Sequence, residues 1–319
     1  MKRLSLYDPK TIPLKQDKMI HIIITSFNEP KATIRAVKSF LKQEINDDFK
    51  IIVVDPFPEI REFLKKEIND KRIEFFSDPG EGKSYALNLL FQEIYSENKN
   101  DIIILSDGDV YVSENAVSEI FEAFKKQEVG CVTGKPVSVD SRNTKYGYWS
   151  HLLFDGINNV RKKHHQRKKF FECSGYLFAI RNGVIMDFPL GACEDAVTSY
   201  LFWKKGYKIF YADNAEVYVK NPDNWKDWKN QKIRNIKGHE NLNQLFPDMP
   251  RTKSFFNEIK EGLFFSLMHP RNVLEFYWLL HLYFARLYIY LKAFQEIKQK
   301  KSYKDGWREI ETPSTKPLD

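Results

Sequence analysis

Short β-branched apolar runs alternate with helical patterns from Met19 to about residue 110. The runs that predict strands are Ile20–Thr25, Ile51–Val54, Arg72–Phe76 and Ile102–Leu105. The segments between them that predict helices are Pro30–Gln43, Ile60–Ile68 and Ser84–Tyr95. Because the runs are apolar without strict alternation, we expect strands that are covered on both faces. This order predicts a parallel, doubly wound α/β sheet, whose ligands bind at the carboxyl ends of the strands.

After Gly130 the pattern becomes mixed. The predicted strands lie around Tyr176–Ile180 and Ile209–Tyr211, and the predicted helices are Glu194–Lys205 and Trp225–Gly238. No internal repeat or low-complexity linker divides the sequence before about Phe246. We therefore predict a Rossmann-like α/β/α domain with a mixed sheet over residues 1–245, with its core at 19–240, and a distinct C-terminal region over residues 246–319.

The C-terminal region is rich in aromatic residues, in a chain that contains 25 Phe, 16 Tyr and 6 Trp. A helix is predicted from Asn272 to Gln299, and His281 and Arg286 interrupt its most apolar part, Phe276–Leu291. That part is shorter than the ~20 apolar residues of a membrane-spanning helix. We therefore expect an amphipathic helix that lies on a membrane surface. The alternatives are packing against the α/β domain and burial of the aromatic residues in a homodimer.

Composition excludes several classes of protein. The chain has 319 residues, 42% of them hydrophobic, and a net charge of +7. These values exclude a disordered chain, a collagen-like repeat and a small disulfide scaffold. Cys131, Cys173 and Cys193 lack the spacing of a zinc site or a disulfide framework. Since no apolar run follows the basic N-terminal residues, we expect no signal peptide and a protein of the reducing cytoplasm.

A pair of carboxylates follows the fourth predicted strand. Asp107 and Asp109 are separated by Gly108, so in extended backbone both side chains face the same way. Paired carboxylates at the end of a strand suit a hard divalent ion that also binds phosphate oxygens. The alternative is an ordinary turn of Asp and Gly.

The segment from Ser77 to Ser84 ends in the Gly82-Lys83-Ser84 sequence of a phosphate-binding loop. The full pattern requires glycine at the position of Ser77. Pro79 also lacks a backbone N–H, and Asp78 and Glu81 would repel phosphate. A P-loop nucleotide hydrolase is therefore a second hypothesis. The other interpretation is a turn that places Lys83 near a ligand.

Two further motifs contain candidate functional groups. Glu194 and Asp195 precede an apolar helix, where either could cap the helix and Asp195 could instead act as a general base. Gln231 and Arg234 are three residues apart on a predicted helix and share a face. An amide and a guanidinium together can bind a diphosphate, although a solvated helix also carries such residues.

Six Lys and Arg residues lie within Arg161–Lys169. A run of this kind is usually a solvated loop, and it could also bind anionic lipid headgroups. No nucleic-acid-binding motif accompanies it, so we expect no nucleic-acid partner.

Seven motifs follow one another in an order that resembles the family 2 glycosyltransferases, which have the GT-A fold. The resemblance extends from about Ile20 to His239. Its motifs are Thr25-Ser-Phe-Asn-Glu29, Asp55, Ser77–Asn88, Asp107-Gly-Asp109, Glu172-Cys-Ser-Gly175, Glu194-Asp195 and Gln231-x-x-Arg234.

The resemblance implies an inverting transferase that uses a nucleotide-diphosphate sugar, with a UDP sugar favoured, and Mn2+ or Mg2+. It implies that Asp107 and Asp109 bind the metal, that Asp195 is the base, and that Gln231 and Arg234 lie near the diphosphate and the acceptor. The residues implied for the nucleotide sugar are Thr25, Ser26, Asn28, Glu29, Asp55, Asp78, Lys83, Asp107, Gly108, Ser174, Gly175 and Glu194.

Three positions qualify the resemblance. Pro56 follows Asp55 where the family often has a second Asp, which affects recognition of the nucleotide base. Asn235 stands where processive members have Trp, so we expect transfer of a single sugar. His239 could be a third metal ligand, as in some related enzymes, or a structural histidine.

We therefore expect a peripheral glycosyltransferase at the cytoplasmic face of a membrane, with a lipid-linked or polysaccharide acceptor. Besides the P-loop hydrolase, the other hypothesis is a non-catalytic protein that binds a nucleotide sugar or an acidic lipid.

Overall fold

The computed structural model describes residues 18–191 and 193–299. Within these residues the strands are β1 (Met19–Thr25), β2 (Asp48–Asp55), β3 (Ile73–Ser77), β4 (Ile102–Asp107), β5 (Tyr111–Val112), β6 (Val129–Ser138), β7 (Leu177–Arg181) and β8 (Lys208–Val219). The helices are α1 (Pro30–Leu41), α2 (Pro58–Glu67), α3 (Lys83–Glu93), α4 (Ala116–Phe124), α5 (Lys145–Gln166), α6 (Glu194–Lys204), α7 (Trp225–Leu245), α8 (Phe255–Met268) and α9 (Val273–Lys298).

The strands form one mixed sheet in the order β3-β2-β1-β4-β7-β6-β8-β5. The first four predicted strands pair in parallel, with β1 between β2 and β4. The register places Thr25 opposite Asp107 and Asp55 opposite Ser77. The carboxyl ends of β1, β2, β3 and β4 therefore lie along one edge, as the alternating pattern predicted.

The second half of the sheet brings later residues to the same edge. β7 runs antiparallel to β4, and Leu177 at its start pairs with Ser106 near the end of β4. The segment from Ser174 to Tyr176, which precedes β7, therefore lies beside Asp107. β6 and β8 pair in parallel beyond β7.

Helices cover both faces of the sheet, which explains why its strands are apolar throughout. Ile22, Ile24 and Val53 pack with side chains of α1, α2 and α4 on one face. Ile23 and Ile103 pack with α3 and α6 on the other. Successive strand residues alternate between these two cores.

Helix α5 is an element that the sequence patterns did not predict. Its N-cap is Thr144, whose Oγ1 accepts a hydrogen bond from the Gly147 N–H at 3.1 Å. Its last turns contain Arg161 to Gln166, so the first part of the basic run is helical and the expectation of a loop was wrong there. Two glycines and a weak apolar stripe obscured the helical pattern.

The C-terminal helices pack against α5 and α7 through Trp149, Trp228, Leu279 and Ile289. Glu275, at the start of α9, accepts hydrogen bonds from Arg142. Arg286 of α9 pairs in turn with Glu258 of α8, so two charged residues of α9 form ion pairs within the protein. Helix α7 ends at Leu245, and the division of the chain after this residue stays a prediction. None of the described helices is sufficiently long and apolar to span a bilayer.

Candidate active site

A cavity of about 1260 Å³ opens at the carboxyl ends of β1 and β4. Strand ends and the first turns of α3 and α6 form its polar end, which we define by Lys83, Asp107, Asp109, Glu194 and Asp195. Helices α5, α8 and α9 form the opposite side, which is largely apolar. The other predicted site residues that line the cavity are Thr25, Ser26, Asn28, Glu29, Asp78, Gly108, Ser174, Gly175, Gln231, Arg234 and His239.

Asp55 does not line the cavity, because it is fully buried beneath the loop that follows β1. Its carboxylate accepts hydrogen bonds from the Ser26 hydroxyl, from the Asn28 N–H at 3.0 Å and from the Phe57 N–H at 2.8 Å. Burial raises the pKa of Asp55, whereas the Ser26 hydrogen bond lowers it. In the described structure Asp55 therefore holds the loop in place, and its contact with a nucleotide base stays a prediction.

Gly108 allows the loops after β1 and β4 to approach closely. Its N–H donates to the Thr25 carbonyl at 2.7 Å, and a Cβ at this position would lie 2.5 Å from the Cβ of Ser26. Asp107 ends β4, whereas Asp109 lies in the turn that follows it, rather than in extended backbone. Close packing at Gly108 thus fixes the two carboxylates relative to the Thr25–Glu29 loop.

Lys83 joins two carboxylates that are distant in sequence. Its Nζ lies 2.8 Å from Asp107 Oδ1 and 2.5 Å from Glu194 Oε1. Burial would lower the pKa of Lys83, but Asp107 and Glu194 raise it well above its usual range, so the amine is charged. Burial likewise opposes ionisation of Glu194, and Lys83 lowers its pKa. Lys83 is the first residue of α3, directly after the turn at Gly82, and this position brings its side chain to both carboxylates.

Asp195 lies in the first turn of α6 and is held from both sides. Its Oδ2 accepts a hydrogen bond from the Gly175 N–H at 3.0 Å, and its Oδ1 accepts one from the Ala196 N–H at 2.9 Å. Burial raises the pKa of Asp195 to about 6, with Lys253 acting against the shift and Glu194 adding to it. A fixed carboxylate with this pKa can accept a proton near neutral pH.

A cluster beside Asp195, in which Glu172 and His239 are buried, contains two residues that the sequence patterns missed, Thr252 and Lys253. Lys253 Nζ lies 3.3 Å from Glu172 Oε2 and 2.9 Å from His239 Nε2, and the Thr252 hydroxyl donates to Glu172. Burial and the charge of Lys253 lower the pKa of His239 to about 4, so its ring is neutral. No local motif distinguishes residues 250–254, and only the fold brings them here.

The donor set at the polar end fits a divalent metal ion. Asp107 and Asp109 line the cavity beside Glu29, and burial followed by the charges of Asp109 and Asp107 raises the pKa of Glu29 to about 7. This excess of negative charge suits a hard cation whose remaining ligands are phosphate oxygens. In residues 18–191 and 193–299, no cluster of three or more His, Cys, Asp or Glu is spaced to hold an ion unaided.

Gln231 and Arg234 lie on the cavity-facing side of α7. Within the described residues, the buried Gln231 Oε1 has no hydrogen-bond partner. Because an unsatisfied buried oxygen is costly, a donor group of a ligand is its natural partner. Arg234 lowers the pKa of Glu194, which places its charge near the polar end.

The basic run divides into buried and exposed members. The Arg161 guanidinium donates to the carbonyls of Glu172 and Cys173, at 3.1 and 3.3 Å, and so supports the segment that carries Ser174. Lys162 instead pairs with Asp213 at the surface. The run is therefore partly structural.

The fold is similar to that of a mannosyltransferase from Pyrobaculum calidifontis, solved in complex with GDP-Man and Mn2+. The two chains are 14% identical, with a TM-score of 0.55, over 87% of this chain and 80% of the other. GalNAc-T7, solved with UDP, GalNAc and Mn2+, is 18% identical, with a TM-score of 0.48, over 64% of this chain and 44% of the other. No curated protein matches the sequence.

The family described as glycosyl transferase family 2 matches residues 21–188, which is more than half of the chain. This segment contains the predicted motifs from Thr25-Ser-Phe-Asn-Glu29 to Glu172-Cys-Ser-Gly175. The mixed sheet, with helices on both faces and further helices at the C-terminal end, agrees with the predicted GT-A architecture. The chain therefore belongs to glycosyl transferase family 2.

Proposed function

We propose that the protein transfers a single sugar, with inversion, from a nucleoside-diphosphate sugar to a lipid-linked or glycan acceptor at a membrane surface. The observation that supports this most directly is the polar end of the cavity. There a fixed carboxylate of raised pKa, Asp195, lies beside the Lys83–Glu194–Asp107 group. A UDP sugar is the favoured donor, on the family resemblance.

The donor would bind with its diphosphate at the polar end. Asp107 and Asp109 would hold a divalent ion, Mn2+ or Mg2+, which when bound neutralises charge on the departing diphosphate. Arg234 would add a second positive charge, and the Gln231 side chain would fix the orientation of the donor.

The transfer step uses Asp195 as the base. An acceptor hydroxyl attacks the anomeric carbon from the face opposite the diphosphate, and its proton passes to Asp195. The bond between the anomeric carbon and the diphosphate oxygen breaks, and the electron pair leaves with the nucleoside diphosphate. Attack from the opposite face inverts the anomeric configuration.

The acceptor receives one sugar in this proposal. Asn235 lies on α7 and lines the cavity at the position where processive members of the family have Trp. A carboxamide offers a much smaller stacking surface than an indole to the terminal sugar of a growing polymer. This difference supports release after a single transfer.

Calorimetric titration of UDP and GDP, with and without Mn2+, tests the donor half of the proposal. We expect at least one nucleotide to bind in a manner that depends on Mn2+, and Asp109→Asn to abolish the Mn2+ effect. Asp248→Asn is a matched control, because Asp248 is exposed and does not line the cavity. Failure of both nucleotides to bind would contradict the proposal. A screen of nucleotide sugars for metal-dependent hydrolysis then identifies the donor.

The membrane half of the proposal rests on exposed aromatic residues of α8 and α9. Phe256, Phe264 and Phe284 are 81%, 80% and 73% exposed, although large apolar side chains are normally buried. Large apolar side chains exposed on neighbouring helices are typical of a membrane or protein contact. A peripheral position at the cytoplasmic face of a membrane is part of this proposal.

Flotation with anionic vesicles tests the membrane contact. We expect the intact protein to float with vesicles, and the variant Phe256→Ser, Phe264→Ser, Phe284→Ser to lose most of this binding. Leu190→Ser is the control, because Leu190 is 60% exposed but lies outside α8 and α9. If the triple serine variant floats as well as Leu190→Ser, the membrane contact is contradicted. A change in sedimentation without any change in flotation would instead indicate a homodimer through these helices.

A further inference from the structure

The cavity continues from its polar end into an apolar channel between α5, α8 and α9. We define this channel by the residues Leu152, Ile157, Phe265, Leu279, Leu282 and Tyr283. The whole cavity, at about 1260 Å³, exceeds the range of about 300–1000 Å³ that is usual for small-molecule sites. A nucleotide and a sugar are polar, so the donor provides no partner for the apolar walls.

Two glycines inside helices widen the channel. A Cβ on Gly262 of α8 would meet no atom within 4 Å, and a Cβ on Gly156 of α5 would meet the Phe265 ring at 3.8 Å, an ordinary contact. Glycine in a helix interior costs about 1 kcal/mol relative to alanine. No neighbouring atom requires position 262 to be glycine. The absence of a side chain there leaves space for a ligand, which is a physical reason for a glycine at this position.

Cationic side chains lie where the channel meets the polar end. Lys232 of α7 lines the cavity, where its Nζ lies over the Trp228 ring, 5.9 Å from the ring centroid, and within the described residues it forms no ion pair with a carboxylate. Burial, followed by the charge of Arg286, lowers the pKa of Lys232 to about 7, and the charge of Glu258 acts against this shift. Lys253 lies nearby and also interacts with Asp195. An anion beside Lys232 would therefore favour the charged form of its amine.

The walls of the channel reach the exposed apolar surface of α8 and α9. Leu263, Phe284 and Leu287 line the cavity and are also exposed, by 43%, 73% and 44%. An apolar chain could therefore pass from a membrane surface into the channel along these apolar side chains.

We infer that the acceptor is a lipid phosphate, whose apolar chain occupies the channel and whose phosphate lies beside Lys232 and Lys253. This inference rests on the proposed transfer and specifies its acceptor. The accepting oxygen, on the phosphate or on a sugar that it carries, forms the bond to the anomeric carbon as the diphosphate departs with the electron pair. Asp195 takes the proton if that oxygen carries one. A soluble glycan would leave the channel walls without an apolar partner and Lys232 without an anion.

Binding of dodecyl phosphate, measured by calorimetry without any donor, tests the channel. We expect the protein to bind dodecyl phosphate at least about tenfold more tightly than inorganic phosphate, because the chain is buried. Gly262→Leu should weaken this binding about tenfold by filling the channel, and Gly262→Ala should weaken it much less. Thermal melting of each variant shows whether the fold is intact. We expect it to be intact, because alanine and leucine are better helix formers than glycine. If Gly262→Leu and the unaltered protein bind dodecyl phosphate equally well, the proposal that its chain occupies the channel is overturned.

The headgroup is tested with a neutral amphiphile and a lysine variant. Dodecyl maltoside has a similar chain without phosphate, and we expect it to bind at least about fivefold more weakly. Lys232→Gln should remove most of that preference, whereas Lys229→Gln, on the same helix but outside the cavity, should not. A preference that survives Lys232→Gln, or no preference at all, would overturn recognition of phosphate by Lys232.

The nucleotide titrations on the same variants distinguish the two proposals. If nucleotide binds and dodecyl phosphate does not, the lipid acceptor is wrong and the glycosyl transfer proposal stands. If dodecyl phosphate binds in the expected pattern and neither nucleotide binds, the transfer proposal is wrong and the channel remains a lipid-phosphate site. Transfer of sugar to dodecyl phosphate itself would identify the phosphate oxygen as the acceptor, and transfer only to a sugar-bearing lipid phosphate would identify a hydroxyl.

Discussion

The two ends of the cavity differ in how they are built. At the polar end, Lys83 lies between Asp107 and Glu194, and backbone N–H groups hold Asp195. At the apolar end, helices leave space that even a methyl group on Gly262 would not fill. Charges are therefore fixed at one end, while an open volume is preserved at the other.

This difference follows from what each end must do. Charged groups stabilise a transition state only when their positions are fixed in advance, and strand ends and helix starts provide that rigidity. An apolar chain needs only volume and area, because the hydrophobic effect has no direction. Replacing a single atom at the polar end should therefore change activity or stability strongly. At the apolar end, only a change in side-chain volume should have a large effect.

The largest effect should come from Asp195→Asn. The asparagine keeps the shape of the side chain but cannot act as the base, so turnover should fall by about 10²–10⁴-fold. The measurement is the rate of sugar transfer at saturating donor, with nucleotide affinity as the test of an intact site. Unchanged turnover would show that Asp195 only orients the acceptor.

Lys83→Met should have the next largest effect, because it leaves Asp107 and Glu194 without their shared cation. These side chains are only 24%, 28% and 15% exposed, so we expect a loss of about 2 kcal/mol in the free energy of unfolding. Lys50→Met is the control, since the Lys50–Glu74 pair is nearly half exposed and should contribute under about 1 kcal/mol.

Chemical denaturation measures both lysine variants, and added Mn2+ sharpens the comparison. A divalent ion should stabilise Lys83→Met more than the unaltered protein, because it replaces the missing positive charge at Asp107. Equal stabilisation of the two proteins by Mn2+ would indicate that Lys83 and the metal do not share this carboxylate.

A pair of glycine variants compares the packing of the two ends directly. Gly108→Ala would place a Cβ 2.5 Å from that of Ser26 and should destabilise the protein by about 1–3 kcal/mol. Gly262→Ala meets open space and should stabilise it by up to about 1 kcal/mol. Thermal melting of the two variants gives the comparison. Shifts of the same sign would contradict the proposed difference between the ends.

The smallest effect should come from pH. Since the pKa of Asp195 is raised to about 6, the base is ionised above that pH and becomes protonated below it. The rate of transfer to a hydroxyl should therefore fall about fivefold between pH 6 and pH 5 and level off above pH 7. The profile is measured at saturating donor and metal. Asp195→Asn should lose this dependence, and a variant that kept it would assign the titration to another group.

Much of the polar end could be predicted from the sequence. The alternating pattern placed Thr25, Asp55 and Asp107 at strand ends, and parallel pairing brings such ends to one edge. The same reasoning did not show that Asp55 is buried beneath the loop that follows β1. Burial depends on how the loop folds back, which the residue pattern does not determine.

The apolar end could not be predicted in the same way. Helix α5 was not predicted, and no sequence pattern indicated that Arg286 of α9 pairs with Glu258 of α8. Lys253 joins Glu172 although the two are far apart in sequence. Contacts between helices depend on long-range packing, for which no short pattern exists.

The sequence by itself determined the mixed α/β fold, the family and the carboxylates at the strand ends, because these follow from local periodicity and short motifs. Only the tertiary structure decided that Lys83 joins Asp107 to Glu194 and that Lys232 faces the cavity. It alone decided that three helices enclose an apolar channel beside the site. Each of these features arises where distant segments meet, and their relative positions are set by the packing of the whole chain.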